Sequence, residues 1–245
     1  MLLGIIGDIH GNIEALTSCY EAVIDAGCDK IVCTGDIVGY GASPKECIDF
    51  VQDKKIESVR GNHDHYTTQN GSNWDIQPCA KDVILWMQQT LPKSYISWLN
   101  ALPYQMEVEG VQFIHSSFEG ADGKSWPYIL SAQSALFHFF LQSSKFCFYG
   151  HTHIPLIFTL KHGNVSIEML TSRTPSNFKG EKYLFNPGSV GQPRDFDSRA
   201  AAATFDTKSH ELHSVRAKYN IENAQLKILA AGLPMQCAER LSSGQ

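Results

Sequence analysis

An α/β protein, built on a mixed sheet or on two packed sheets, is the fold class this sequence predicts. Three observations predict it. Strand, helix, strand, helix and strand patterns alternate through the opening segment; short strand-like runs then dominate with few helices between them; and polar clusters fall where the predicted strands end. With 245 residues and 43% hydrophobic content the chain can bury one substantial core, so length does not force a division into domains.

Leu2 to Ile6 is a continuous apolar run ending at Gly7-Asp8, which suits a buried strand whose C-terminal end opens into a polar loop. From Ile13 to Ala26 the apolar residues Ile13, Leu16, Tyr20, Val23 and Ile24 recur at helical spacing, and Gly27 stands where a C-terminal cap belongs. Ile31 to Thr34 reads as the next strand, Pro44 to Asp53 as a second helix and Ile56 to Val59 as a third strand, ending in the polar turn Gly61-Asn62-His63-Asp64. Asp82 to Gln89 and Ser94 to Leu102 are helical, with Pro92 and Pro103 as punctuation. Val111 to His115, Phe146 to Tyr149, Leu156 to Leu160, Val165 to Leu170, Tyr183 to Phe185, Ala201 to Phe205 and Leu212 to Arg216 follow as short turn-bounded strands, interrupted by a helix over Ser131 to Gln142. Ile221 to Ala231 is a terminal helix, and the ending Ser242-Ser243-Gly244-Gln245 is expected to fray.

A formal charge of −5, without a run of like charge, gives no electrostatic footprint for nucleic acid. It does not exclude a phosphate-bearing substrate, because bound divalent cations reverse the local sign of a carboxylate-rich site. Seven scattered cysteines, with no CxxC spacing, read as reduced thiols. The start at Met1-Leu2-Leu3-Gly4 has no basic or long apolar leader, and no apolar run reaches the ~18 residues of a membrane span, so a cytoplasmic location without membrane partners is expected.

The chemistry gathers in five clusters: Asp8-Ile9-His10, Gly35-Asp36, Gly61-Asn62-His63-Asp64, His115, and Gly150-His151-Thr152-His153. Strand ends are where α/β sites collect. Carboxylate, imidazole and amide oxygen form the ligand set that divalent first-row metals accept, with no thiolate among them. In extended backbone, alternate residues point the same way, so Asp8 with His10, and His151 with His153, would each grip one site. Singly, each has an ordinary alternative: an Asp after a strand is often a turn former or helix cap, and a lone His is more often a satisfied polar residue. Five clusters in order, each at a strand end, make coincidence a poor explanation. His138, in an apolar helical stretch, is read as structural.

The sequence resembles the calcineurin-like metallophosphoesterase superfamily, in particular its small bacterial and archaeal phosphodiesterase-like branch. The family signature GDxH, GDxxxxG, GNHD, lone His and GHTH stands here as Gly7-Asp8-Ile9-His10, Gly35-Asp36 through Gly41, Gly61-Asn62-His63-Asp64, His115 and Gly150-His151-Thr152-His153. Asn186-Pro187-Gly188-Ser189 resembles a further turn of that branch. The resemblance implies two mixed β-sheets packed as a sandwich flanked by helices, a four-layer αββα arrangement of α/β (by some schemes α+β) class. The family domain would cover residues 1–217, with a C-terminal helix and tail over 218–245 packed on it.

The resemblance also implies two divalent metal ions, from among manganese, iron, nickel and zinc. Asp8, His10 and His153 would hold one and Asn62, His115 and His151 the other, with Asp36 bridging. Two cations held about 3.5–4 Å apart can acidify a water between them for in-line attack on phosphorus. His63 would be the general acid for the leaving oxygen, outside the ligand set, with Asp64 orienting its imidazole. Arg60 and Arg194 are the candidate phosphate-binding side chains.

Departures from the family pattern narrow the substrate. Protein serine/threonine phosphatases continue the second motif as Asp-Arg-Gly and end the third in Glu, whereas Gly39-Tyr40-Gly41 and Asp64 stand here. The missing Arg also counts against the symmetrical dinucleoside tetraphosphatase branch. What remains is a phosphodiesterase or nucleotide-type phosphatase acting on a small phosphoester, and Ser116-Ser117 after His115, where that group often has Gly, alters the leaving-group pocket. A non-catalytic metal-binding scaffold is the reading from another class, disfavoured by the presence of His63 and every expected ligand. A nuclease of the same superfamily is disfavoured by the acidic balance. Oligomeric state is not legible in the sequence.

Overall fold

The computed structural model describes residues 1–71, 74, 76–120, 122–172 and 178–245. The chain runs β1 (Leu2–Ile6), α1 (Ile13–Asp25), β2 (Lys30–Cys33), α2 (Pro44–Asp53) and β3 (Glu57–Ser58), then three helices, α3 (Asn62–Thr68), α4 (Pro78–Thr90) and α5 (Lys93–Ala101). There follow β4 (Gln105–Val108), β5 (Val111–Ile114), a 3₁₀ turn over Phe118–Gly120, α6 (Ala132–Leu141), β6 (Phe146–Phe148), β7 (Leu156–Lys161), β8 (Asn164–Met169), β9 (Lys182–Asn186), β10 (Ala200–Asp206), β11 (Leu212–Ala217), α7 (Ile221–Ala230) and α8 (Met235–Ser243). Local signals set many of the ends. The Asn12 side chain caps α1 by accepting from Ala15 N–H, Gly27 takes the left-handed φ of 86° just past that helix, and Pro44 opens α2.

The strands form two mixed sheets, ordered β11-β10-β1-β2-β3 and β4-β5-β6-β9-β7-β8. β1, β2 and β3 are mutually parallel, as are β5, β6 and β9, while β10 joins β1 antiparallel and β7 joins β9 antiparallel. Alternation along the strands assigns each face. In β1, Leu3 and Ile5 enter the seam between the sheets, where Phe113, Phe148, Phe185 and Phe205 also meet, whereas Ile6 faces the helical side. Each such fully buried Phe contributes ~2–3 kcal/mol of hydrophobic burial. In β10, Ala203 and Phe205 face that seam, while Ala200 and Ala202 turn toward the helices and, being small, let α1 close on the sheet. α1, α2, α4, α7 and α8 bury residues against the outer face of the first sheet, and α6 places Ala135 and Phe139 against Ile114, Cys147, Phe158 and Leu184 of the second. Three seams between four layers give helices, sheet, sheet, helix.

Three expectations are corrected. The polar turn after β3 is the start of α3, whose Asn62, His63, Asp64 and Thr67 are buried; a helix with a polar buried face shows no apolar period. β4 was not expected, since Gln105-Met106-Glu107-Val108 is a mostly exposed edge strand. The C-terminal residues do not fray: α8 reaches Ser243, buries Cys237, Ala238 and Leu241, and Gly244 accepts a hydrogen bond from Phe196 N–H at 2.9 Å. Among the described residues no helix is long and apolar enough to cross a membrane, and all seven cysteines are free thiols.

Candidate active site

The five motif segments leave the C-terminal ends of the parallel strands of both sheets: Asp8 and His10 after β1, Asp36 and Tyr40 after β2, Asn62 and His63 after β3, His115 after β5, and His151 and His153 after β6. The backbone there is not extended. Asp8 (φ 50°), His10 (50°), Asp36 (55°), Tyr40 (45°), His151 (68°) and His153 (60°) all occupy the left-handed region, so strand alternation is not what aims these side chains. Each such residue costs of order 1–3 kcal/mol and persists only where the surroundings fix it. Here they do: Asp8 N–H donates to Gly35 O, His10 N–H to Asp36 O and Gly191 N–H to Asp8 O, each at 2.9 Å. Gly61 packs so tightly that a Cβ would stand 2.1 Å from Asp36 Oδ1.

The side chains converge in overlapping groups. His153 Nε2 lies 3.4 Å from Asp8 Oδ1 and 3.0 Å from His10 Nε2. Asp36 Oδ2 lies 3.6 Å from His10 Nε2 and 3.3 Å from His115 Nε2, which is itself 3.0 Å from Asn62 Oδ1. Asp8, His10 and His153 make one ligand-like cluster, and Asp36, His115 and His151 another. His151 and His153 therefore serve different clusters, so of the two alternating pairs only Asp8 with His10 shares one site.

The residues fit divalent cations, and the imidazole tautomers carry that test. His10 Nδ1 lies 3.2 Å from Val38 O, His153 Nδ1 2.5 Å from Gln192 O and His115 Nδ1 2.8 Å from Thr34 O. A carbonyl only accepts, so Nδ1 carries the proton and a neutral ring presents its Nε2 lone pair inward. His151 is reversed, with Nε2 donating to Trp126 O at 2.9 Å and Nδ1 left as the lone pair. The facing Nε2 atoms of His10 and His153 thus share no proton, and Asp8 Oδ2 is buried without a partner among the described residues. Such an arrangement is repulsive until a cation enters it.

The electrostatics of the free protein agree. Burial, helped by the Asp36 charge, pushes the Asp8 carboxyl up to about 7, and burial drives His10 and His153 well below the usual imidazole range and His151 down to about 3. Against the upward push of burial, the His115 and His63 rings hold Asp36 below the usual carboxylate range. His115 is raised to about 9: burial opposes this, and the Asp36 carboxylate outweighs it. A proton between His115 and Asp36 then takes the place of a cation, to be released when metal binds.

His63 is buried beside this group. Its main-chain N–H donates to Asp36 Oδ1 at 2.8 Å, its ring meets His10 and Tyr40 at 4.7 Å each, and Nδ1 has no partner among the described residues. Together with His10 and Asp36 it forms a third metal-like cluster, so position alone does not separate it from the ligands. Asp64 does not orient that imidazole, contrary to expectation. Its carboxylate accepts from the main-chain N–H groups of Asp36, Ile37, Val38 and Gly61, and so shapes the second motif loop. Arg60 is likewise corrected: it is buried and donates to Asn100, Tyr104 and Thr68, bracing α3 against α5 instead of facing substrate. Arg194 is at the site, with Nη2 2.9 Å from Gln192 Oε1 and its guanidinium 5.7 Å over the Tyr40 ring.

Other residues reached the site without a sequence signal strong enough to single them out. A cavity of about 580 Å³ opens beside Asn62, His63 and His151, walled by Tyr66, Trp126 and Tyr128. The density of aromatic and proline residues in Ser125-Trp126-Pro127-Tyr128 was the one available hint. Ser116 is explained by this wall, since its hydroxyl donates to Pro127 O at 2.6 Å. The turn at Asn186 is a buttress: Asn186 Nδ2 donates to Gly150 O and Thr152 Oγ1, and Ser189 Oγ donates to Asp8 O.

Comparison with known proteins agrees with this geometry. Residues 1–210 match the model of the calcineurin-like phosphoesterase superfamily domain. An uncharacterized protein of Methanocaldococcus jannaschii is 34% identical over 100% of this chain and 98% of its own length. The crystal structure of a metallophosphoesterase from Sphaerobacter thermophilus superposes with a TM-score of 0.85 at 34% identity, covering 100% of this chain and 99% of that one. A symmetrical bis(5'-nucleosyl)-tetraphosphatase of Actinobacillus pleuropneumoniae is 38% identical over 63 residues, 24% of this chain and 23% of the relative.

Proposed function

The chain belongs to the calcineurin-like phosphoesterase superfamily and is a metallophosphoesterase, and from that premise we propose that it hydrolyses small phosphodiesters or nucleotide-type phosphate esters at a two-metal centre. Asp8, His10 and His153 would hold one cation and Asn62, His115 and His151 the other, with Asp36 between them. The observation that carries this reading is the Asp36 carboxylate, whose Oδ2 stands within 3.6 Å of an inward Nε2 from each set. When bound, two divalent ions drawn from manganese, iron, nickel or zinc supply Lewis acidity toward the phosphoryl oxygens and an acidified water as nucleophile.

The chain's own residues do the rest. Arg194, whose charge acts on Asp8, His10 and His63 and whose Nε is buried without a partner among the described residues, is placed to grip a phosphate oxygen. His63 protonates the leaving oxygen. Burial lowers its imidazole to about 4, and a negatively charged phosphoester beside it favours the protonated form that a general acid needs. The cavity beside His63 lies on the side of the leaving oxygen and leaves room for a bulky leaving group.

The test is hydrolysis of a generic aryl phosphodiester and the matching monoester by metal-stripped protein, with manganese, nickel, zinc or magnesium restored singly. Restored turnover with diester preference is the expected result. Two bound equivalents without turnover on any ester would overturn the reading in favour of a metal-binding scaffold.

A further inference from the structure

The cavity next to His63 has a composition that the hydrolytic chemistry does not require. Its floor is the reaction side, Asn62, His63 and His151, but its walls are rings. On one side stands Tyr66 of α3, stacked on Trp74 at 5.3 Å and 19°. On the other stands Tyr128, stacked on His151 at 4.1 Å and 22° yet 54% exposed, with Trp126 beside it. Tyr66 and Tyr128 are therefore each backed by a second ring, which favours one plane before any ligand arrives.

The wall opposite α3 is also tied to the reaction centre. Ser116 Oγ donates to Pro127 O, His151 Nε2 to Trp126 O and Tyr149 Oη to Ile129 O, at 2.6, 2.9 and 3.0 Å. Between the walls lie neutral groups able to read a ring edge, the Gln77 amide and the Ser125 hydroxyl, and one cation, Lys124. Among the described residues that line the cavity there is no carboxylate, and the Lys124 ammonium is paired with Asp122 at 2.6 Å. About 580 Å³ falls within the range of small-molecule sites and suits a nucleoside better than an alkyl alcohol, which would leave the rings unused.

We propose that the substrate carries a nucleoside on the His63 side of its phosphorus, with the flat nucleobase held between Tyr66 and Tyr128 and its edge met by Gln77 and Ser125. This rests on the phosphoesterase reading above and names the substrate class of that same site. The base is recognised mainly by stacking, so purines bind more tightly than pyrimidines and base identity is read less stringently than base presence.

The test compares AMP with ribose 5-phosphate, which differ by the base alone, as inhibitors of aryl phosphodiester hydrolysis by metal-loaded protein. Direct titration calorimetry of the same two ligands supplies a readout that needs no turnover. AMP is expected to bind about tenfold or more tightly than ribose 5-phosphate, the scale of one stacked base. Tyr128→Leu should erase most of that ratio and Tyr128→Phe should keep it, with ribose 5-phosphate serving as the internal control for the phosphate centre and for folding. Equal affinity of the two ligands overturns the proposal, as does a ratio that survives both Tyr128→Leu and Tyr66→Leu. If every phosphoester resists hydrolysis while the AMP preference persists in calorimetry, the hydrolytic reading falls and the base pocket stands. Hydrolysis without an AMP preference gives the reverse.

Discussion

The two sides of the site are built on different principles. The metal-facing side is a cradle in which nearly every side chain is set by main chain: four imidazoles pinned by carbonyls, the Asp64 carboxylate spread over four N–H groups, and six residues locked in left-handed backbone. The pocket-facing side is a loop wall of rings, partly exposed and fastened at a few points. Chemistry that must orient several ligands to within a fraction of an ångström needs the first kind of construction. Selection of a leaving group tolerates the second, and loops are where such selection can vary without disturbing the scaffold.

The comparison can be broken first at its centre. Asp36→Ala should lower bound metal below two equivalents and reduce turnover by more than ~10³-fold, beyond the loss of a single electrostatic donor. Metal analysis alongside steady-state kinetics checks both, and retention of two equivalents would remove Asp36 from its bridging role. His63→Ala sharpens the boundary between ligand and acid. It should keep both equivalents and lose ~10²–10⁴-fold in kcat, and metal loss matching that of Asp36→Ala would reassign His63 to the ligand set that its position already borders.

The two arginines separate substrate contact from scaffold. Arg194→Ala should raise KM ~10-fold or more with little change in thermal stability, as expected for a lost charged hydrogen bond to phosphate. Arg60→Ala should do the opposite, leaving KM in place while costing ~2–4 kcal/mol in denaturant unfolding, because Asn100 and Tyr104 lose a buried partner. Interchanged effects would mean that α3 and the Arg194 loop have been given the wrong duties.

The last test lies away from the site, in the helix that covers the second sheet. His138 of α6 is buried against Phe118 with neither ring nitrogen partnered among the described residues, and burial lowers its imidazole to about 3. A lowered folded-state value means that the unfolded chain takes up the proton first as pH falls, so its contribution is intact above ~6.5 and is lost progressively below that. At pH 5 the loss should be ~2 kcal/mol. His138→Leu should flatten the acid limb of a stability-versus-pH curve by that amount, and an unchanged limb would show that the ring finds a partner on protonation.

Much of this was legible in the residues themselves. The seven metal-ligand candidates and His63 stood in motifs at strand ends, and the structure brings all eight together. Helices with an apolar stripe and a capping residue, such as α1 and α2, were readable because local chemistry determines them. α3 and α8 were not, since one buries polar residues toward the site and the other is short and mostly polar. The roles given to Asp64 and Arg60 failed for a related reason: adjacency in sequence says nothing about which partner a long or charged side chain will reach.

What the sequence determined by itself is the inventory of donors, their order, and the alternation that sends Leu3 and Ile5 into one seam and Ile6 into another. What only the tertiary structure decided is which lone pair each imidazole offers, that His151 and His153 part toward different clusters, and that rings from α3 and a distant loop enclose one cavity. The physical reason is range. Periodicity and capping are local, acting over a few residues, whereas a tautomer is fixed by a carbonyl from anywhere in the chain, as Thr34, 81 positions away, fixes His115.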